Sequence, residues 1–113
     1  DGTGVGDVGS VVLRDRKHLA EDGIIIVVAT IDAQGAFVAS GPDVVSRGFV
    51  YVRESEELLD EAREVARRVL EDCCSQRTLD WTTMKSRVRD ELSHMIFQKT
   101  KRSPMILPVI MDI

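Results

Sequence analysis

The feature that most constrains this chain is the uninterrupted run Ile24-Ile25-Ile26-Val27-Val28-Ala29-Thr30-Ile31. Side chains branched at Cβ are stiff about χ1 and fit a pleated strand better than a helix. A bilayer-spanning helix needs about 20 apolar residues, so the run is too short for that role. An unbroken apolar strand of this kind reads as a central strand covered on both faces. Asp32-Ala33-Gln34-Gly35 is a turn signal, with Gly35 available for a positive φ. Ala36 to Ser40 resumes the strand pattern, so residues 24–40 read as a hairpin. Gly41-Pro42-Asp43 and then Ser46-Arg47-Gly48 break the pattern before a short apolar piece, Phe49 to Val52.

From Ser55 the period changes. Leu58, Leu59, Ala62, Val65, Ala66, Val69, Leu70 and Cys73 recur at steps of three and four, the stripe of an amphipathic helix. Ser55 suits the N-cap, and Glu56, Glu57, Asp60 and Glu61 complement the helix N-terminus. Glu64 and Arg68 form an i,i+4 pair. After the polar break at 75–78, Asp80 can cap a second helix with the apolar positions Trp81, Met84, Val88, Leu92, Met95 and Ile96. Pro104 lies beyond its end. Met105 to Ile113 reads as a last strand, and Pro108, lacking an N–H, requires it to lie at a sheet edge or to pair around that position.

The element order is therefore β-β-α-α-β, an α/β (α+β) two-layer sandwich with three strands packed against two helices. Residues 1–20 read as a glycine-rich linker with a weak helical turn around Val12, Leu13, Arg16 and Leu19, stopped by Gly23. Residues 21–113 read as the domain. A chain of 113 residues suits a single core. Its formal net charge of -4 argues against broad attraction to nucleic acid or anionic lipid, while leaving room for a local basic patch. No charged-then-apolar leader is visible, so a soluble, cytoplasmic protein is expected. The adjacent pair Cys73 and Cys74 reads as two reduced thiols at a helix end.

Few residues suggest chemistry. Gly4-x-Gly6-x-x-Gly9 has the spacing of a dinucleotide-binding turn, with Asp32 near the position of a ribose-binding acid, but no strand leads into it within the chain. It is kept as a distant alternative. His18 and His94 are far apart in sequence and read as surface residues. The carboxylates of residues 55–64 read as a solvated helix face. Lys99, Lys101 and Arg102, with Arg47 and Arg53, are candidates for phosphate contact, although no aromatic interleaves them and the first three also compensate the helix dipole. No constellation has the spacing of a catalytic centre.

The strings GVGDVG, VLRDRKHLAEDG, SGPDVVSRGFVYVRESEEL and QKTKRSPMILPVIMDI together resemble the C-terminal end of bacterial ribonuclease J. That family belongs to the β-CASP nucleases of the metallo-β-lactamase superfamily. The resemblance implies a parent enzyme that degrades and processes RNA, acting 5′-to-3′ and internally, with two zinc or other divalent ions activating water. The chain has two histidines and no His-x-His-x-Asp-His string, so the metal ligands are expected upstream. The resemblance further implies a non-catalytic C-terminal domain supporting oligomerisation and full activity, packed on the β-lactamase and β-CASP core of its own chain. It also implies a structural calcium to which Asp7 contributes. RNA contact through Lys99, Lys101 and Arg102 is the alternative role. No membrane partner is expected.

Overall fold

The computed structural model describes residues 22–48, 55–76 and 79–113. In chain order the elements are β1 (Ile24–Asp32), β2 (Phe37–Arg47), α1 (Ser55–Cys74), α2 (Trp81–Thr100) and β3 (Met105–Asp112). The three strands form one sheet of order β2-β1-β3, β1 antiparallel to β2 and parallel to β3. The expected α+β sandwich and its element order are thus observed. The weak helical turn expected around Val12 to Leu19, and the apolar piece Phe49 to Val52, lie outside the described residues.

The long apolar strand is central, but both helices cover the same face of it. Along β1, Ile25, Val27, Ala29 and Ile31 are buried at 0–1% exposure, while the intervening residues are only half-buried. This corrects the expectation of cover on both faces. Period-2 geometry sends alternate side chains to opposite sides, and the helices occupy one side. Residue pairing defines the other side: Ile24, Ile26 and Val28 on β1, Val45 on β2, and Met105, Leu107, Val109 and Met111 on β3.

β2 corrects a second expectation, because it continues through Gly41-Pro42-Asp43 rather than ending there. The register slips between Val28 and Ile31 of β1, and Gly41 at φ +82 absorbs the bulge. A Cβ at Gly41 would meet the Val28 carbonyl oxygen at 2.7 Å. In the hairpin turn the left-handed residue is Ala36, at φ 56, not Gly35. The Gly35 N–H instead donates to Asp32 Oδ1 at 3.0 Å, and the ring of Phe37 occupies the space a Gly35 side chain would need.

β3 lies at the sheet edge, as Pro108 requires. Met105 N–H donates to Gly23 O at 2.9 Å and Ile113 N–H to Ile31 O at 3.3 Å. Odd residues of β3 therefore turn their backbone toward β1, and even residues, Pro108 among them, turn theirs to the free edge. Asp22 fastens the entry to β3 beside the start of β1, accepting from Ser103 N–H at 2.8 Å and Arg102 Nη1 at 3.4 Å.

α1 buries Leu58, Ala62, Val65, Ala66, Val69, Leu70, Cys73 and Cys74, and α2 buries Met84, Val88, Leu92 and Ile96. Among the described residues no charged or polar side chain is fully buried. Asp80 caps α2, accepting from Thr83 N–H at 3.2 Å and from the Thr83 hydroxyl at 2.9 Å. α1 is helical from Ser55 itself, and the side chain expected to cap it lies outside the described residues.

Two outcomes are expected in thermal or urea unfolding. Leu92→Ala, which opens a cavity where the side chain is fully buried, should cost about 2–5 kcal/mol. Gly41→Ala should cost at least about 1–2 kcal/mol, for the left-handed backbone alone. The Asp80 cap adds a pH signature. The Thr83 hydroxyl first, and its N–H second, hold the Asp80 carboxyl below the usual carboxylate range. A lowered folded-state value means the cap stabilises fully above the unfolded value of about 4 and fades as pH falls through the folded one. Asp80→Ala should therefore lower the melting temperature at pH 7, and the gap to the parent should narrow below about pH 4.

Candidate functional site

α2 is organised in three ridges of four-residue steps, each winding slowly around the helix axis. The row Met84, Val88, Leu92, Ile96 is buried over the sheet. The row one residue earlier, Arg87, Glu91, Met95 and Lys99, faces α1. There Arg87 Nη1 lies 2.6 Å from Asp72 Oδ2, Arg68 Nη2 3.0 Å from Glu91 Oε1, and Lys99 Nζ 3.1 Å from Glu61 Oε2. Arg68 thus crosses to α2 rather than pairing with Glu64, which takes Arg67 instead. The expected Glu64–Arg68 pair is corrected for that reason: the neighbouring helix offers Arg68 a second carboxylate. The bond to Asp72 raises the already high Arg87 pKa further, keeping its charge fixed.

The row one residue later is Lys85, Arg89, Ser93 and Phe97, continued by Lys101 past the helix end. Lys101 takes the left-handed cap at φ 59 and donates its N–H to Phe97 O at 2.8 Å. Its ammonium lies 5.4 Å from the centroid of the Phe97 ring, which is 47% exposed. Arg89 and Ser93 line a groove whose opposite wall is Ser103, Pro104 and the first half of β3.

The three cations singled out from the sequence separate here. Lys99 turns to Glu61, Arg102 turns to Asp22, and Lys101 lies over Phe97. Lys85, Arg89 and Phe97 were not singled out, and the expectation that no aromatic accompanies the cations is corrected by Phe97. The signal existed in the four-residue spacing 85-89-93-97-101, but identical spacing on another face of a helix would bury such residues. Arg47 is exposed at the end of β2, and Arg53 lies outside the described residues.

Gly4, Gly6, Gly9, Asp7 and His18 also lie outside the described residues. Asp32, the candidate ribose acid, serves the hairpin turn through Gly35. His94 is exposed beside Arg68, Glu91 and Lys99 on the outer side of the helix pair. Among the described residues, no three of His, Cys, Asp and Glu come together to hold a metal ion. The donor set described therefore does not fit the divalent ions expected of the parent enzyme. Cys73 and Cys74 are free thiols, both buried in the last turn of α1. Burial first, then the charges of Cys73 and Glu71, push the Cys74 thiol up.

No helix among the described residues is long and apolar enough to cross a membrane. What the described part of the chain offers is two surfaces, the open apolar sheet face and the α2–β3 flank, on a small α+β module.

Comparison with known proteins identifies the class. The family described as Ribonuclease J C-terminal domain matches residues 11–113, and the chain belongs to that family. Among individual relatives, Ribonuclease J 2 of Staphylococcus epidermidis is 54% identical over all 113 residues, and Ribonuclease J 2 of Staphylococcus aureus is 52% identical over the same span. The chain covers 20% of the length of each of these relatives.

Two measurements probe this chemistry. Iodoacetamide should label Cys73 and Cys74 far more slowly in the folded chain than in urea, since only the thiolate reacts and both sulfurs are buried. A double-mutant cycle on Glu61 and Lys99, with both side chains nearly half exposed, should return a coupling of at most about 1 kcal/mol that shrinks in high salt.

Proposed function

We propose that this chain is a non-catalytic accessory domain of a larger ribonuclease, and that it acts by assembly. The observation that carries this reading is the sheet's second face. Ile26, Val28, Val45, Leu107, Val109 and Met111 share one side, and no described element covers them. Val45, Leu107 and Met111 are 39%, 39% and 45% exposed. A contiguous apolar face of this kind on a small module marks an interaction surface. An apolar face is self-complementary in chemistry and suits a second copy related by a two-fold axis, the commonest route to a homo-oligomer.

In this reading the enzyme is a cytoplasmic, metal-dependent 5′-to-3′ exo- and endoribonuclease of RNA decay and processing. Its zinc or other divalent ions are held by a nuclease core preceding this domain in the chain, and Asp7 contributes to a structural calcium. The residues described here place and stabilise that core rather than react. Family membership and the 20% share of the relatives' length that the chain covers support the division of labour.

Light scattering after size exclusion, over a range of concentrations, tests the assembly role. The 113-residue chain should form a dimer, and Leu107→Lys combined with Val45→Lys should shift it to monomer without lowering its melting temperature. A monomer at every concentration would overturn self-association and assign the open face to the nuclease core of the same chain.

A further inference from the structure

The flank of α2 carries a second surface. The described residues include ten Lys and Arg side chains, of which six, Arg63, Arg67, Arg68, Arg87, Lys99 and Arg102, are ion-paired. Arg47, Lys85, Arg89 and Lys101 make no ion pair among the described residues. Three of these four fall on one ridge of four-residue steps, which winds about 40° around the helix axis at each step. From Lys85 to Lys101 the row spans about 24 Å of helix rise, with Phe97 exposed between Arg89 and Lys101. On a chain of net charge -4, a row of uncommitted cations joined to an exposed ring calls for an anionic ligand with a flat apolar part.

The neighbouring groove narrows the choice. Its far wall is the free edge of β3, and an open edge ordinarily invites another strand. Here Pro108 faces outward and has no N–H to give, which interrupts any such ladder midway along β3. What remains is Arg89, the Ser93 hydroxyl and the Ser103 and Pro104 wall, a lining suited to charge and hydrogen bonding rather than to strand addition.

We propose that the row Lys85, Arg89, Phe97 and Lys101, with the groove beside β3, is a contact site for single-stranded RNA. Lys85 and Arg89, one turn apart, meet neighbouring phosphates, one base stacks on the Phe97 ring, and Lys101 swings from that ring to a phosphate further along the strand as it follows the ridge around the helix. Electrostatic tracking combined with aromatic stacking is the general mode of sequence-tolerant single-strand binding. The choice of RNA among nucleic acids rests on membership of the ribonuclease J family. This site is distinct from the apolar sheet face, and it differs from a Lys99 and Arg102 cluster, whose charges are held by Glu61 and Asp22.

Fluorescence anisotropy of the 113-residue chain with a labelled 12-nucleotide polyuridine at low salt tests the site. K85Q/R89Q/K101Q should weaken binding at least tenfold and flatten the slope of log affinity against log salt by about 2, for three lost phosphate contacts on a single strand. Phe97→Ala should weaken it roughly tenfold, while Phe97→Trp retains it. Lys99→Gln with Arg102→Gln should stay within about twofold, and circular dichroism should show every variant folded. Four results would overturn the proposal. One is no saturable binding by the parent chain, and another is parent-like affinity in the triple variant. The third is loss confined to the Lys99 and Arg102 variant, which would keep RNA contact but move it to the other cluster. Insensitivity to Phe97→Ala would likewise remove the stacking contact.

Discussion

The packing of α1 and α2 onto one face of the sheet, α1 over β2 and α2 over β3 with the buried side chains of β1 between them, is the contact on which the rest of the structure depends. Ile25, Val27, Ala29 and Ile31 lie beneath both helices, and β1 also supplies the backbone to which β2 and β3 each pair. Among the described residues the two outer strands pair only with β1, and the helix pair ties them a second time, α1 lying over β2 and α2 over β3. A small domain has little apolar area to spare, so a strand that is both the sheet's centre and the core's floor concentrates much of the available burial in a few residues. The helices align over it because their buried rows contain no polar side chain that would have to find a partner there.

Charge is kept out of that core and assigned by row. On α2 the positions before the buried row meet α1 through Arg87, Glu91 and Lys99, and of those after it Arg89 and Ser93 line the groove beside β3. Exposed ion pairs add little to stability, so their main consequence is to commit certain charges and leave others uncommitted. That sorting separates Lys99 and Arg102, held by Glu61 and Asp22, from Lys85 and Arg89. It also leaves the domain with two unlike surfaces, an apolar sheet face suited to protein and a cationic flank suited to an anion.

A ribonuclease J C-terminal domain of this construction has a coherent physical role. An accessory module needs a core that holds without the enzyme's metal site, and surfaces that meet other molecules. The Ribonuclease J 2 relatives are about five times as long as this chain, so most of each lies beyond the part that resembles it. The interrupted edge at Pro108 limits how the module associates: faces are open to partners, whereas strand addition along β3 is blocked.

Local chemistry in the sequence determined the element types, their order and the edge position of β3, because β-branched runs, three-and-four periodicity, the Asp80 cap and Pro108 each act through nearest neighbours. The same local rules misread what depended on distant residues. The apolar run at 24–31 suggested cover on both faces, but only tertiary packing decides how many layers a sheet receives. Glu64 and Arg68 stood at ideal helical spacing, yet the approach of α2 gave Arg68 a different carboxylate. Gly41-Pro42 looked like a strand break, yet β1 and β2 absorb it as a bulge within a longer ladder. The fate of each cation was likewise unreadable in sequence, since pairing with Glu61 or Asp22 requires residues 38 and 80 positions away to be folded alongside.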